Sequence, residues 1–165
     1  MESVKDRLDK KAYELLDLPE LVFFYGSIKF ARPDTIDEMQ KFFRYNGVTG
    51  ELEEGWKESN IVIGHDRTAG LGPDAFILDT SDSKLPVYWL MTDGGDWENP
   101  DLVCEDLETF HNIIIMLSEQ GSFNGHFLTE EDIENILNKI RKIENKEDIS
   151  PYWNNLLYAA SEELS

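Results

Sequence analysis

Three histidines, one cysteine and a dense run of carboxylates are the side chains in this sequence equipped to catalyse, to ligate or to recognise. His65, His111 and His126 lie far apart in the chain, and none has a second His or Cys at a metal-ligand spacing. Because Cys104 is the sole cysteine, neither an internal disulfide nor a multi-cysteine zinc site is possible. Gly64 to Gly72 (GHDRTAGLG) has the glycines of a phosphate cradle but not its Gly-Lys-Ser/Thr ending. Pro73 follows where a helix would start, so the stretch reads as a loop between strands. In Gly121 to Gly125 (GSFNG) the serine is misplaced for a nucleophile elbow, and no strand precedes it. The expectation is a binding protein with no catalytic residue, no metal and no cofactor.

Carboxylates are the abundant resource. Between Asp74 and Glu108 stand ten acidic residues against the single Lys84. A metal-dependent enzyme would draw on Asp79, Asp93 and Asp96, but the spacing fits no EF-hand loop. The same run carries Tyr88, Trp89 and Trp97, and aromatic residues beside charges are what protein-binding sites favour. Successive strand residues face opposite ways, so Tyr88 and Trp89 cannot share one core. The segment from Asp93 to Asp106 is read as the partner-binding surface, through Asp93, Asp96, Trp97, Glu98 and Asp101. Like charges crowd there, and Trp97 is of the type that anchors interfaces; its other use is as a core residue pinning the loop to the sheet.

The whole chain carries 34 acidic against 15 basic residues, a net charge of −19. That balance argues against a nucleic-acid backbone or an anionic membrane as the target and points to a basic protein partner. The N-terminal MESVKDRLDKK is charged throughout, unlike a signal peptide, and the longest apolar run, Ile113 to Leu117, is far too short to span a bilayer. With the lone cysteine, these features suggest a soluble cytoplasmic protein, a monomer or homodimer.

The elements that must position these residues follow from periodicity. Glu2 to Leu16 places Val4, Leu8, Ala12, Leu15 and Leu16 at helical spacing, predicting one amphipathic helix that stops before Pro19. Leu21 to Phe30 is aromatic-rich and reads as extended, interrupted at Gly26. Thr35 with Glu38 has the capping-box pattern, with Ile36, Met39 and Phe43 on one face of a short helix behind it. Asn60 to Gly64, Ala75 to Asp79 and Pro86 to Met91 read as successive antiparallel strands. Asp106 caps a helix striped by Leu107, Phe110, Ile113, Ile114 and Leu117. Two more helices follow, one with a Thr129/Asp132 capping box and the other opened by Ser150-Pro151. Their apolar stripes must pack onto the body or form a dimer contact.

From Trp56 to Leu117 the sequence resembles the SUKH superfamily, the Smi-one/Knr-four-like proteins. The resemblance is carried in order by Trp56, Ile61-Val62-Ile63-Gly64-His65-Asp66, Asp74 to Ser81, Leu85-Pro86-Val87-Tyr88, Gly95-Asp96-Trp97-Glu98 and Asp106 to Phe110. Leu18-Pro19-Glu20, Ile36 to Gln40 and Arg44-Tyr45-Asn46 extend it upstream, so that it covers about residues 18–118. The chain departs from the pattern in having Thr92-Asp93 where many relatives have His-Gly, and in the longer loop Thr68 to Pro73.

The resemblance implies an α+β fold, a central mostly antiparallel sheet flanked by helices; residues 119–165 lie outside it and read as a helical C-terminal extension, the whole of 1–165 being expected to form a single domain. It also implies a bacterial immunity protein that neutralises a cognate polymorphic or contact-dependent toxin, often a nuclease with a basic cleft. A regulatory or scaffolding module, the role of the fungal relatives with their long disordered flanks, is the alternative. A carboxylate- or metal-dependent enzyme is the remote one.

Overall fold

The structure, a computed structural model, describes residues 2–23, 26–68, 73–92, 96–120, 127–159 and 161. The fold is α+β: a six-stranded antiparallel sheet flanked by helices, with the strands side by side in chain order. The strands are β1 (Leu21–Phe23), β2 (Gly26–Phe30), β3 (Asn60–Thr68), β4 (Asp74–Asp79), β5 (Val87–Leu90) and β6 (Asp101–Cys104). The helices are α1 (Val4–Arg7), α2 (Lys10–Leu15), α3 (Ile36–Arg44), α4 (Leu107–Ser118), α5 (Glu130–Glu144) and α6 (Pro151–Ala159). Among the described residues no helix is long and apolar enough to cross a membrane.

The central strands are buried on both sides, and their alternation divides the apolar residues between two cores. On β4, Phe76 and Leu78 enter a large core shared with α2, α4, α5 and α6, whereas Ala75 and Ile77 face a smaller one under α3. β3 follows suit, with Ile61 and Ile63 on the large side and Val62 on the small one. Trp89 packs on the large core and Tyr88 on the small one, so the two adjacent aromatics do face opposite ways.

Several local expectations change. The N-terminal segment is two short helices rather than one, because Asp9 accepts from Ala12 N–H (2.7 Å) and caps a new start, with Leu8 extended just before it. Thr35 precedes α3 without capping it: its hydroxyl accepts from Arg32 N–H (3.0 Å) and tightens the preceding turn. Gly64 to Thr68 belong to β3 rather than to a loop, and residues 69–72 lie outside the described residues. The acidic stretch after β5 contains a sixth strand, which its charged sequence did not signal. The Asp106 cap of α4 (Thr109 N–H, 2.8 Å) and the capping box of Thr129 and Asp132 on α5 are present as the sequence suggested.

Two residues fix β3 in place. Gly64 lies so close to β2 that a Cβ there would sit 2.7 Å from Phe30 Cδ1 and 2.9 Å from the Lys29 carbonyl oxygen. Beyond the end of β2, Gln40 of α3 does the work of a neighbouring strand. Its amide donates to Val62 O (2.7 Å) and Ile36 O (2.9 Å), and its oxygen accepts from Val62 N–H (2.7 Å), all out of water. Replacing Gln40 with leucine removes both partners of the Val62 main chain and leaves two buried polar groups unsatisfied, at about 1–3 kcal/mol each. A loss of about 2–4 kcal/mol in denaturant unfolding is expected; a loss below about 0.5 kcal/mol would show that water takes over the role.

Candidate functional site: an acidic aromatic cleft

The residues first singled out do not converge. Asp93 lies outside the described residues. Trp97 is only 3% exposed and belongs to the small core, its ring 4.9 Å from that of Trp56, so it pins its segment to the sheet and presents no anchor to a partner. Asp96 is exposed but engaged in its own turn: it accepts from Glu98 N–H (2.9 Å) and Asn99 Nδ2 (2.8 Å). Those bonds, that from Asn99 first, hold its carboxyl below the usual carboxylate range. Glu98 is exposed beside it, and its carbonyl accepts from Lys57 Nζ (3.2 Å). Asp101 alone reaches a concave site, because it starts β6 directly opposite Trp89 of β5.

That site is a cleft of about 630 Å³ between the sheet and α6. Strand register assembles it. Asp66 of β3 stands opposite Asp74 of β4, Phe76 of β4 opposite Trp89, and Trp89 opposite Asp101. Cross-strand partners project to the same face, so one side of the sheet collects the acids and the indole. α6 closes the cleft with Tyr152, whose ring lies 5.6 Å from Trp89 and 5.3 Å from Phe76. Met91 and Leu102 form exposed apolar lips at 53% and 42%. None of the described lining residues is Lys or Arg. The neighbours of Asp66 on β3, His65 and Arg67, line a different hollow on the α3 side, so the strand sends its acid one way and its bases the other.

Asp66 is 5% exposed, and Tyr152 Oη donates to its Oδ2 (2.9 Å). Burial first, then the charge of Asp66, pushes the Tyr152 phenol well up, so it remains a donor at neutral pH. Asp74 accepts from Thr92 N–H (3.2 Å). Asp66 and Asp74 thus stand directly opposite each other across β3 and β4, each engaged in hydrogen bonding.

The other chemical candidates have structural roles. His111 Nδ1 meets Leu15 O (2.9 Å) and ties α4 to α2, and His126 lies outside the described residues. Burial, reinforced by Arg67 and Lys29, lowers the His65 pKa and keeps the ring neutral. Asp79 accepts from Ser81 N–H (2.9 Å) and Oγ (2.7 Å) within its own turn. No three His, Cys, Asp or Glu side chains among the described residues come together to hold a metal.

Cys104 is buried, and desolvation raises its thiol pKa far above the usual value; the thiol donates to Glu144 Oε1 (3.4 Å), linking β6 to α5. Desolvation also raises the Glu144 carboxyl, outweighing the Cys104 bond and Lys146. A carboxyl raised in the folded state contributes stability that is complete below its unfolded pKa and is lost as pH climbs through the folded one. Unfolding free energy should therefore fall with rising pH just above the ordinary glutamate range. Glu144→Gln, whose amide oxygen still accepts from Cys104, should flatten that slope and be the more stable chain at pH 7. An unchanged slope in that variant would assign the pH dependence to another group.

The chain matches no family model, no curated protein and no solved structure. The meaning of the cleft rests on its own residues. Sequence reading missed it because Asp66, Asp74, Trp89 and Tyr152 come from four separated segments. The available signal was weak: an aspartate near the adjoining ends of two adjacent strands, and Tyr152 in an apolar helix.

Proposed function

We propose that this chain is a SUKH-type immunity protein, a non-enzymatic cytoplasmic binding protein that neutralises a bacterial toxin domain whose active site is basic, as in a nuclease. The observation that carries the reading is the cleft, an aromatic and acidic concavity with no basic lining residue among those described, in a chain of net charge −19. An enzyme acting on nucleic acid needs a positive surface, and a carboxylate-rich protein is its electrostatic complement. The ordered run from Trp56 to Leu117 supports the family, and the α+β sheet flanked by helices is the architecture that resemblance implies.

The test is genetic and direct. Expressing the toxin domain encoded beside this gene should arrest growth, and co-expressing this chain should restore it, with the two proteins co-eluting after purification. Growth arrest that persists while both proteins accumulate in soluble form would overturn the reading.

A further inference from the structure

The cleft also specifies what enters it. We propose that it seats an arginine side chain displayed by the protein partner, with the guanidinium on the exposed part of Trp89 beside the carboxylate of Asp101. This rests on the protein-binding reading above and names the chemistry of the contact.

Four observations lead there. Trp89 and Asp101 are direct cross-strand partners, which sets their Cβ atoms about 4.5–5.5 Å apart on one face, a spacing that one planar cation can bridge. Trp89 is only partly buried, whereas Tyr152 is hemmed in by Phe76, Trp89 and Trp153, so the indole is the ring left to a ligand. Met91 and Leu102 line the approach with exposed apolar surface, which suits the methylene stem of a long cationic side chain. Farther in, Asp66 and Asp74 face each other across β3 and β4, so the inner end of the cleft is acidic as well.

A lysine would satisfy the charge, but arginine adds a flat, weakly hydrated group that stacks on an indole and forks onto a carboxylate. A second copy of this chain is a poor occupant, because two bodies of net charge −19 repel. Asp74 and Asp101 lie two strands apart, roughly 10 Å, so one guanidinium reaches only Asp101 while the inner pair supplies field.

The probe is a capped Gly-Arg-Gly peptide, compared with its lysine and citrulline counterparts, while the indole N–H signals of the intact protein are followed by NMR. The arginine peptide should shift the Trp89 signal with a dissociation constant on the order of 1 mM. The lysine peptide should bind at least fivefold more weakly, and the neutral citrulline peptide should leave the signal in place. Asp101→Asn, an exposed substitution that leaves the core alone, should weaken the arginine peptide by about fivefold or more. Trp89→Leu, which removes the reporter itself and is therefore read by calorimetry, should show no binding of the arginine peptide, with circular dichroism reporting whether the fold persists.

Citrulline binding as tightly as arginine would overturn the proposal in favour of an apolar occupant, and so would an unmoved Trp89 signal at about 10 mM arginine peptide. Binding of the peptide by a chain that protects no cell would sink the immunity reading alone. Protection of cells with Trp89 untouched by arginine would sink this inference alone.

Discussion

A chain ending at Ser118 should not fold. The two helices beyond that point read in sequence as an addition to a resembling core, yet the structure builds them into the main core. Ile133, Ile136, Leu137, Ile140, Tyr152, Trp153, Leu156 and Leu157 are all buried in the same cluster as Phe76 and Phe110. Trp153 is fully buried and stacks near Phe110 (6.1 Å) and Tyr152 (5.4 Å). At roughly 1.5–3 kcal/mol for each large side chain removed from water, their contribution is as large as or larger than the ~5–15 kcal/mol by which a domain of this kind is stable. The truncated chain should be insoluble or lack a cooperative unfolding transition. In the full chain, Trp153→Ala alone should cost about 3–5 kcal/mol, the usual price of a buried aromatic deletion. A soluble 1–118 chain with undiminished resistance to denaturant would mean that the helices are an appendage after all.

How far the sequence revealed this arrangement depends on the length over which each signal acts. Helices α4, α5 and α6 were legible because their stripes and caps are local: Asp106, the Thr129/Asp132 box and Ser150-Pro151 each announce a start within one turn. The strands β3, β4 and β5 were legible as apolar runs, because strands buried on both faces need no polar alternation. β6 was not, since an edge strand opening Asp-Leu has exposed residues and carries the charge of a loop. Asp9 was passed over inside an apparent helix because the apolar spacing continued across it, although its side chain competes for the backbone and restarts the helix.

The candidate site failed to show for a different reason. Partner binding was placed where charge is dense in sequence, but Trp97 is dense core and Asp96 is spent on a turn. The cleft depends on register, the pairing of Asp66 with Asp74 and of Trp89 with Asp101, and on Tyr152 arriving from the far end of the chain. Register is a long-range property, fixed by which faces are buried, and no window of sequence contains it.

The charges of the cleft should govern how fast the partner arrives. Substituting Asp74 and Asp101 together with asparagine preserves shape and the Thr92 contact while removing two negative charges from one concave surface. Electrostatic steering typically accelerates association tenfold or more, so this double variant should bind a basic toxin domain about tenfold more slowly at low salt. The difference should shrink as salt shortens the Debye length from about 10 Å at 0.1 M to about 3 Å at 1 M. The comparator is Asp96→Asn with Glu98→Gln, which removes the same charge from exposed residues that do not line the cleft. It should slow association less. The first variant should keep the circular dichroism of the parent and unfold cooperatively, so that slower association reports the lost charges and not a lost fold. A binding defect in a chain that remains folded is the signature of charges that act on the partner. Were the Asp96/Glu98 pair to slow association more than the cleft pair, the interface would lie with that turn and not in the cleft.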